Sequence, residues 1–404
     1  MKWDAVVIGG GPAGSTVACL VARKGWKVAL LESKPFPRPK VCGEYLSAAN
    51  IILLEALGIA DDYHSLAGPE VRQVGVFSGN HSITTPLNAP HNQRHAKWGR
   101  ALGRDILDTM LLEHARSAGA TVFQPCVADH LEQIDDGFLC RSKIAKTGAQ
   151  SEFHSRVIIA AHGSWEPGNL PSHPSSQAHK PGDLFGFKAH LTNTELPIGL
   201  MPLLAFPGGY GGLVHTHGGL VSLSCCVRRD VLAQLTRSPS GAGDAVLSHI
   251  LETCPAARPA LQKAQLADKW HSAGPIRPGI RKTYHDGIFR VGNAAGEAHP
   301  AVAEGIGMAM QSAWLLAESL PDSKDSLTEQ ALQRAGKEYT RRWNQTFVSR
   351  IRAARLFANI AMRPTLSNLV AVLLNHMPAV LAHCASWSGK TALPFSVREV
   401  GYQI

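Results

Sequence analysis

The chain opens Lys2-Trp3-Asp4-Ala5-Val6-Val7-Ile8-Gly9-Gly10-Gly11-Pro12-Ala13-Gly14, and the reading of this stretch decides the fold. Asp4 to Ile8 is a short, mostly apolar run of the kind expected for a buried parallel strand. The glycines follow at once in the order G-x-G-x-x-G. Gly9 permits a tight turn, Gly11 lets backbone approach a pyrophosphate, and Gly14 allows close helix–strand packing. Ser15 to Lys24 puts Val17, Ala18, Leu20 and Val21 on the apolar stripe of a helix that Gly25 stops. The start of that helix offers N–H groups and a partial positive charge to phosphate. A second strand, Trp26 to Leu31, ends at Glu32, 18 residues after Gly14. That is close to the spacing of an acid that binds a ribose hydroxyl. The whole β-α-β unit predicts an α/β fold that binds a dinucleotide.

About 280 residues later a strand, Gly287 to Val291, feeds Gly292-Asn293-Ala294-Ala295-Gly296, and then Glu304-Gly305-Ile306-Gly307. Asn293 offers amide donors and a carbonyl acceptor to sugar-like hydroxyls. Gly305 and Gly307, opening the next helix, would aim N–H groups at an anionic or carbonyl-rich ring. Two such clusters at opposite ends of the chain predict a long, two-part ligand held by segments that meet only in the fold.

The 404 residues exceed one compact core, so two intertwined domains are expected. Charged residues are 18% and hydrophobic ones 45%, which fits an ordered globular enzyme rather than a disordered chain. No apolar run reaches the roughly 18 residues of a spanning helix. The glycine fingerprint begins so early that no secretion signal fits before it, and a cytoplasmic location is expected. Eight cysteines show no C-x-x-C pair, and nineteen histidines, such as His81, His91 and His95, form no metal motif. No metal is expected. The net charge of +9 concentrates in Arg334 to Arg363, with eight Lys/Arg against the single acid Glu338. Tyr339, Trp343, Phe347, Ile351, Ala354 and Ala358 give this stretch an apolar face. Such a basic helix either caps the core or touches an anionic membrane or a partner protein. No nucleic-acid motif accompanies the charge.

Helices are expected around Ser47 to Leu57, Arg104 to Ala118, Asp244 to Thr253 and Gly305 to Leu320. Strands are expected over 71–87, Thr121 to Gln124, Leu139 to Ile144 and Arg156 to Ala161, with antiparallel sheet from Leu184 to Trp270. Proline and glycine punctuate 165–182, a domain crossing. Arg277 and Arg281 either orient an anionic substrate or fix the domain junction.

These motifs resemble the flavoprotein group that contains FAD-dependent aromatic hydroxylases, flavin-dependent halogenases and geranylgeranyl reductases. The N-terminal fingerprint and the VGNAAG…P…EGIG segment are similar to that group's two FAD motifs. Lys40-Val41-Cys42-Gly43-Glu44 resembles the K-x-C-G-E loop beside the flavin in the reductase and halogenase-like branches. Arg104 to Asp108 resembles the R-x-x-x-D helix start whose arginine lies near FAD. The resemblance covers roughly residues 1–380 and speaks to FAD more than to reaction.

The resemblance implies a Rossmann-type, glutathione reductase-like FAD-binding domain of three layers, built from 1–70, 97–164 and 271–322. It implies an inserted, mostly antiparallel substrate-binding sheet from 71–96 and 165–270, and a C-terminal helical region, 323–404. The implied FAD contacts are Gly9, Gly11, Pro12, Ala13, Gly14, Glu32, Ser33, Cys42, Gly43, Arg104 and Val127 in the first half. In the second they are Gly292, Asn293, Ala294, Gly305, Ile306 and Gly307. Cys42 and Glu44 are the catalytic candidates, the plainer reading of Cys42 being a small loop residue.

Several segments depart from the group. Asn293 stands where many relatives have aspartate, and Ala160-Ala161-His162-Gly163-Ser164-Trp165 replaces the hydroxylases' A-D-G segment. The halogenase W-x-W-x-I-P motif is absent, and Phe206-Pro207-Gly208-Gly209-Tyr210-Gly211-Gly212 only partly resembles the reductases' Y-x-W-x-F-P. The leading expectation is a NADH- or NADPH-dependent monooxygenase of secondary metabolism, hydroxylating an aromatic or polyketide-like lipophilic substrate through a flavin C4a-hydroperoxide. The alternatives are a double-bond reductase of the geranylgeranyl type and a flavoprotein that oxidises a partner protein.

Overall fold

In the computed structural model, strand β1 (Lys2–Ile8), helix α1 (Pro12–Arg23) and strand β2 (Val28–Leu31) form the expected unit. Helix α2 (Ala48–Leu57) follows the Lys40–Glu44 loop, and β3 (Gln73–Ser78) and β4 (His81–Pro86) pair as a hairpin. Helix α3 (Arg104–Ser117) leads to β5 (Thr121–Phe123), then β6 (Cys126–Ile134), β7 (Gly137–Ile144) and the long β8 (Gln150–Ala160). Strands β9 (Leu184–Thr192), β10 (Leu200–Phe206), β11 (Gly209–His215) and β12 (Val221–Arg228) come next. Helix α4 (Ala242–Thr253), β13 (His271–Ile276) and β14 (Ile288–Arg290) follow. Helices α5 (Gly305–Ser319), α6 (Glu329–Ala361), α7 (Pro364–His376) and α8 (Pro378–Ala385) come last. The described residues are 2–87, 98–144, 148–164, 168, 170–173, 178–236, 241–385 and 393. His91, His95, Trp165 and much of the expected crossing at 165–182 lie outside them.

The first sheet has a parallel core in the order β14-β8-β1-β2-β5. Alternation sorts its side chains. Ala5, Val7, Val28, Leu30, Val157 and Ile159 join α1, α3 and α5 in one core. Val6, Ile8, Ala29, Leu31, Ile158 and Ala160 pack with β6 and β7 in another. Helices, parallel sheet and β-meander are therefore three layers, and the fold is an α/β Rossmann type.

The second sheet runs β9-β12-β11-β10-β3-β4, antiparallel except for the parallel pair β10–β3. Phe187, Leu204, Leu213 and Leu223 on one face pack with Val246 and Ile250 of α4. Short helices Arg229–Leu235 and Arg258–Leu261 accompany α4, where one helix was expected. The junction expected at 271 falls later, because β13 pairs with β9 and belongs to this sheet. Arg277 closes the junction with two bonds to Asp183, at 2.9 and 2.7 Å. Arg281 donates to the carbonyls of Asn293 and Arg277, at 3.0 and 2.8 Å. Of the two readings of these arginines, the structure takes the junction.

Helix α6 is 33 residues long and is capped by Thr328, whose hydroxyl accepts from the N–H of Ala331. Its stripe Tyr339, Trp343, Phe347, Ile351, Ala354 and Ala358 is buried. The basic helix thus spends its apolar face on the core; Arg334, Lys337, Arg341, Arg352 and Arg355 are exposed, whereas Arg350 turns inward to Gln311 and Glu304. A bend of 104° then turns the chain into α7, and α7 and α8 lie along β3 and β4. Among the described residues no single helix is long and apolar enough to cross a membrane.

Candidate active site

One cavity of about 1050 Å³ runs from the first glycine cluster, between the two sheets, to helices α6, α7 and α8. Its cofactor-side wall is made by Gly9, Gly11, Pro12, Ala13, Glu32, Ser33, Cys42, Gly43, Arg104, Val127, Gly292, Asn293, Gly305 and Ile306. The fold thus gathers most of the expected contacts from segments nearly 300 residues apart. Gly14, Ala294 and Gly307 do not line this cavity. A Cβ on Gly14 would sit 1.8 Å from the carbonyl oxygen of Gly9, and one on Gly307 2.3 Å from the Asn50 amide. Ala294 is buried in the turn beside Gly292. At Gly14 and Gly307 the missing side chain lets neighbouring groups pack closely.

The wall suits a dinucleotide. A Cβ on Gly11 or Gly305 would meet nothing within 4 Å, so open space faces the starts of α1 and α5. Neither helix has a side-chain cap or an acid in its first turn, which leaves their N–H groups to an anion. Glu32 at the end of β2 is buried. One oxygen accepts from the N–H of Gly10 at 2.7 Å and keeps a lone pair, while the other accepts from the N–H of Lys34 at 2.9 Å and the Ser33 hydroxyl at 3.4 Å, with Arg38 3.6 Å away. Asn293 commits one amide N–H to Glu297 at 2.9 Å, so less of it serves a ligand than the sequence implied. Arg104 makes two 2.7 Å bonds to Asp108 on the same helix and also bonds Cys42. Burial disfavours its charge, but Asp108 outweighs burial and keeps it protonated. His162 stacks on His173 at 3.9 Å, and burial with that neighbour pushes its pKa down to about 3.

Glu44 and Cys42 occupy the middle of the cavity wall. Glu44 is completely buried, with a left-handed φ of 63°. Its carboxylate accepts from Lys188, from His190 at 2.8 Å and from the N–H of Arg104 at 3.3 Å. Burial would raise its pKa, but His190 and Lys188 together hold it down at about 2. Lys188 and His190 alternate on the cavity side of β9, so this cluster joins the two sheets. The half-buried thiol of Cys42 accepts from the N–H of Glu44 at 3.3 Å.

Beyond this loop the cavity becomes apolar, lined by Val74, Val76, Met201, Leu203, Phe357 and Leu374 among others. A few polar groups interrupt it, among them Glu297, Ser367 and the pair Tyr210–His299. Tyr210 and His299 meet at 3.2 Å between Oη and Nδ1, with Cys226 bonded to the same phenol. Burial and the charge of Arg355 push His299 down to about 4, and burial pushes Tyr210 up. Both are therefore neutral around pH 7. Sequence reading missed Lys188, His190, Tyr210 and His299. The Gly208 to Gly212 run and a lysine inside an apolar strand were the available signals.

Residues 2–198 match the FAD binding domain family. These residues form an FAD-binding domain, and the chain is an FAD-dependent oxidoreductase. It is 26% identical to a digeranylgeranylglycerophospholipid reductase of Methanothermobacter thermautotrophicus, over 77% of this chain and 75% of that one. A second such reductase, from Methanopyrus kandleri, is 25% identical over 89% and 88%. The myxobacterial chondrochloren halogenase shares the fold, with a TM-score of 0.77, 21% identity and coverage of 99% and 95%. The flavoprotein's wall residues would hold FAD with its pyrophosphate at the start of α1, its ribose at Glu32 and its ring towards the start of α5.

Proposed function

We propose that this flavoprotein is a NADH- or NADPH-dependent monooxygenase that hydroxylates an aromatic or polyketide-like lipophilic substrate. The observation that carries this reading is the Tyr210–His299 pair, set with Glu297 in a mostly apolar compartment beside the flavin-binding segments. An apolar body fits the walls, and a ring hydroxyl gives the buried pair a hydrogen-bond partner. Bound FAD supplies the redox chemistry, taking hydride from the nicotinamide and delivering electrons to oxygen. The protein's part is orientation and dryness. His299, neutral with a pKa of about 4, is too weak a base to take a proton from an ordinary phenol. It orients the hydroxyl through Nε2 while Nδ1 stays with Tyr210. Arg104 and the Lys188–Glu44 pair hold the loop of Cys42 against the cofactor wall.

A second reading, addition of hydrogen to a double bond, is favoured by the similarity to the reductases over 77% and 89% of the chain and by Cys42. There the thiol would donate a proton to the carbon that hydride leaves basic. The test is anaerobic reduction of the purified yellow protein by NADH or NADPH with a lipophilic phenol present, followed by admission of oxygen. The expected product gains one oxygen atom and appears only after oxygen is admitted. A product that gains two hydrogens without oxygen sinks the monooxygenase reading and installs the reductase.

A further inference from the structure

Twelve large apolar side chains are exposed among the described residues, and seven of them lie between 356 and 380. On α7, Leu366, Leu369 and Leu373 fall at i, i+3 and i+7, and Met377 and Val380 continue the patch towards α8. Leu369, Leu373 and Met377 are 56%, 57% and 60% exposed. The opposite side of the same helix is apolar as well. Ala371 is buried, and Val370 and Leu374 line the substrate compartment. A surface helix normally turns a polar face to water, and one that is apolar on both sides meets a second apolar phase.

The charge around the patch says which phase. Of the six arginines from Tyr339 to Ala385, a stretch with neither aspartate nor glutamate, Arg341, Arg342 and Arg350 pair with Glu338, Glu318 and Glu304. Arg352, Arg355 and Arg363 are exposed next to the patch. A second copy of the chain would bring the same arginines face to face with no acid in the stretch to meet them. An anionic lipid surface answers both the charge and the leucines. With 13 residues, α7 is about 20 Å long, short of the roughly 30 Å hydrocarbon core, and the 104° bend sets it across α6. It is shaped to lie in the interface rather than to span it.

We infer that the α7–α8 face docks the protein on anionic lipid, with the compartment directly behind the docked helix. This docking does not depend on whether the flavin oxygenates or reduces. The experiment is flotation of the yellow holoprotein with phosphatidylcholine–phosphatidylglycerol vesicles or with phosphatidylcholine alone. The wild type is expected to float with the mixed vesicles, less so as salt rises, and to stay behind with phosphatidylcholine alone. Leu369→Ser/Leu373→Ser/Met377→Ser should bind at least tenfold more weakly while keeping its flavin. Arg352→Glu and Arg363→Glu should each lower binding about fivefold or more. The charge variants also carry the test if the triple variant is colourless. Flotation by the triple variant equal to wild type overturns the proposal, as does a wild type that never floats. A dimer that the triple variant dissociates, with no vesicle binding, assigns the face to a second copy instead.

Discussion

Gly11 and Gly14 are three residues apart and do opposite jobs. Gly11 has an ordinary φ of −69° and empty space where a side chain would grow, whereas a side chain on Gly14 would enter the Gly9 carbonyl. Gly11→Glu should therefore fold and lose its cofactor, since the new carboxylate fills and repels the pyrophosphate site. The measurement is flavin content after gel filtration, with far-UV circular dichroism as the control for folding. A variant as yellow as wild type removes the N-terminal assignment. Residues such as these were legible because the motif is local: strand, turn and helix follow within 23 positions. The Tyr210–His299 contact was not, because its partners are 89 residues apart and the glycine run around Tyr210 does not point to His299.

At the scale of elements, α6 couples the C-terminal region to the flavin site. Trp343 is 1% exposed and packs on Gly296, where a Cβ would lie 2.5 Å from the indole. Trp343→Ala should cost about 3–5 kcal/mol in chemical denaturation and weaken flavin retention, because the turn behind Asn293 loses its support. Full retention of flavin at reduced stability would separate the helix from the site. The apolar stripe of α6 was readable from its spacing, but not its destination. Spacing reveals that a face is apolar, whereas only the fold reveals whether protein already covers it. Among the described residues, protein covers the stripe of α6 and leaves the Leu369–Leu373 side of α7 exposed.

For the whole molecule, the decisive interaction is the cluster of Glu44, Lys188 and His190, which ties a loop of the flavin domain to the substrate sheet across 144 residues. Nothing in either segment announces the other. A carboxyl that falls from 4.5 to about 2 on folding contributes on the order of 3 kcal/mol. Because the folded value is the lower one, this stability is fully present above the unfolded value and is lost as pH falls through the folded one. Denaturation midpoints should therefore drop between about pH 5 and pH 2. Glu44→Gln should flatten that slope and cost about 3–5 kcal/mol at neutral pH, since it leaves the buried Lys188 ammonium without its counter-charge. An unchanged acid slope in the variant would place the titration elsewhere.

The outer wall of the substrate compartment is a single helical layer, α7 with α8, resting on the two strands β3 and β4. The cofactor side is instead built from both glycine clusters and tied down by Arg104, Glu32 and the inter-sheet cluster. The two ends of one chamber thus have separate scaffolds. Substitutions in some 22 residues can reshape what the chamber admits without touching what holds the flavin. Substrate range in this architecture is free to drift while its redox centre stays fixed.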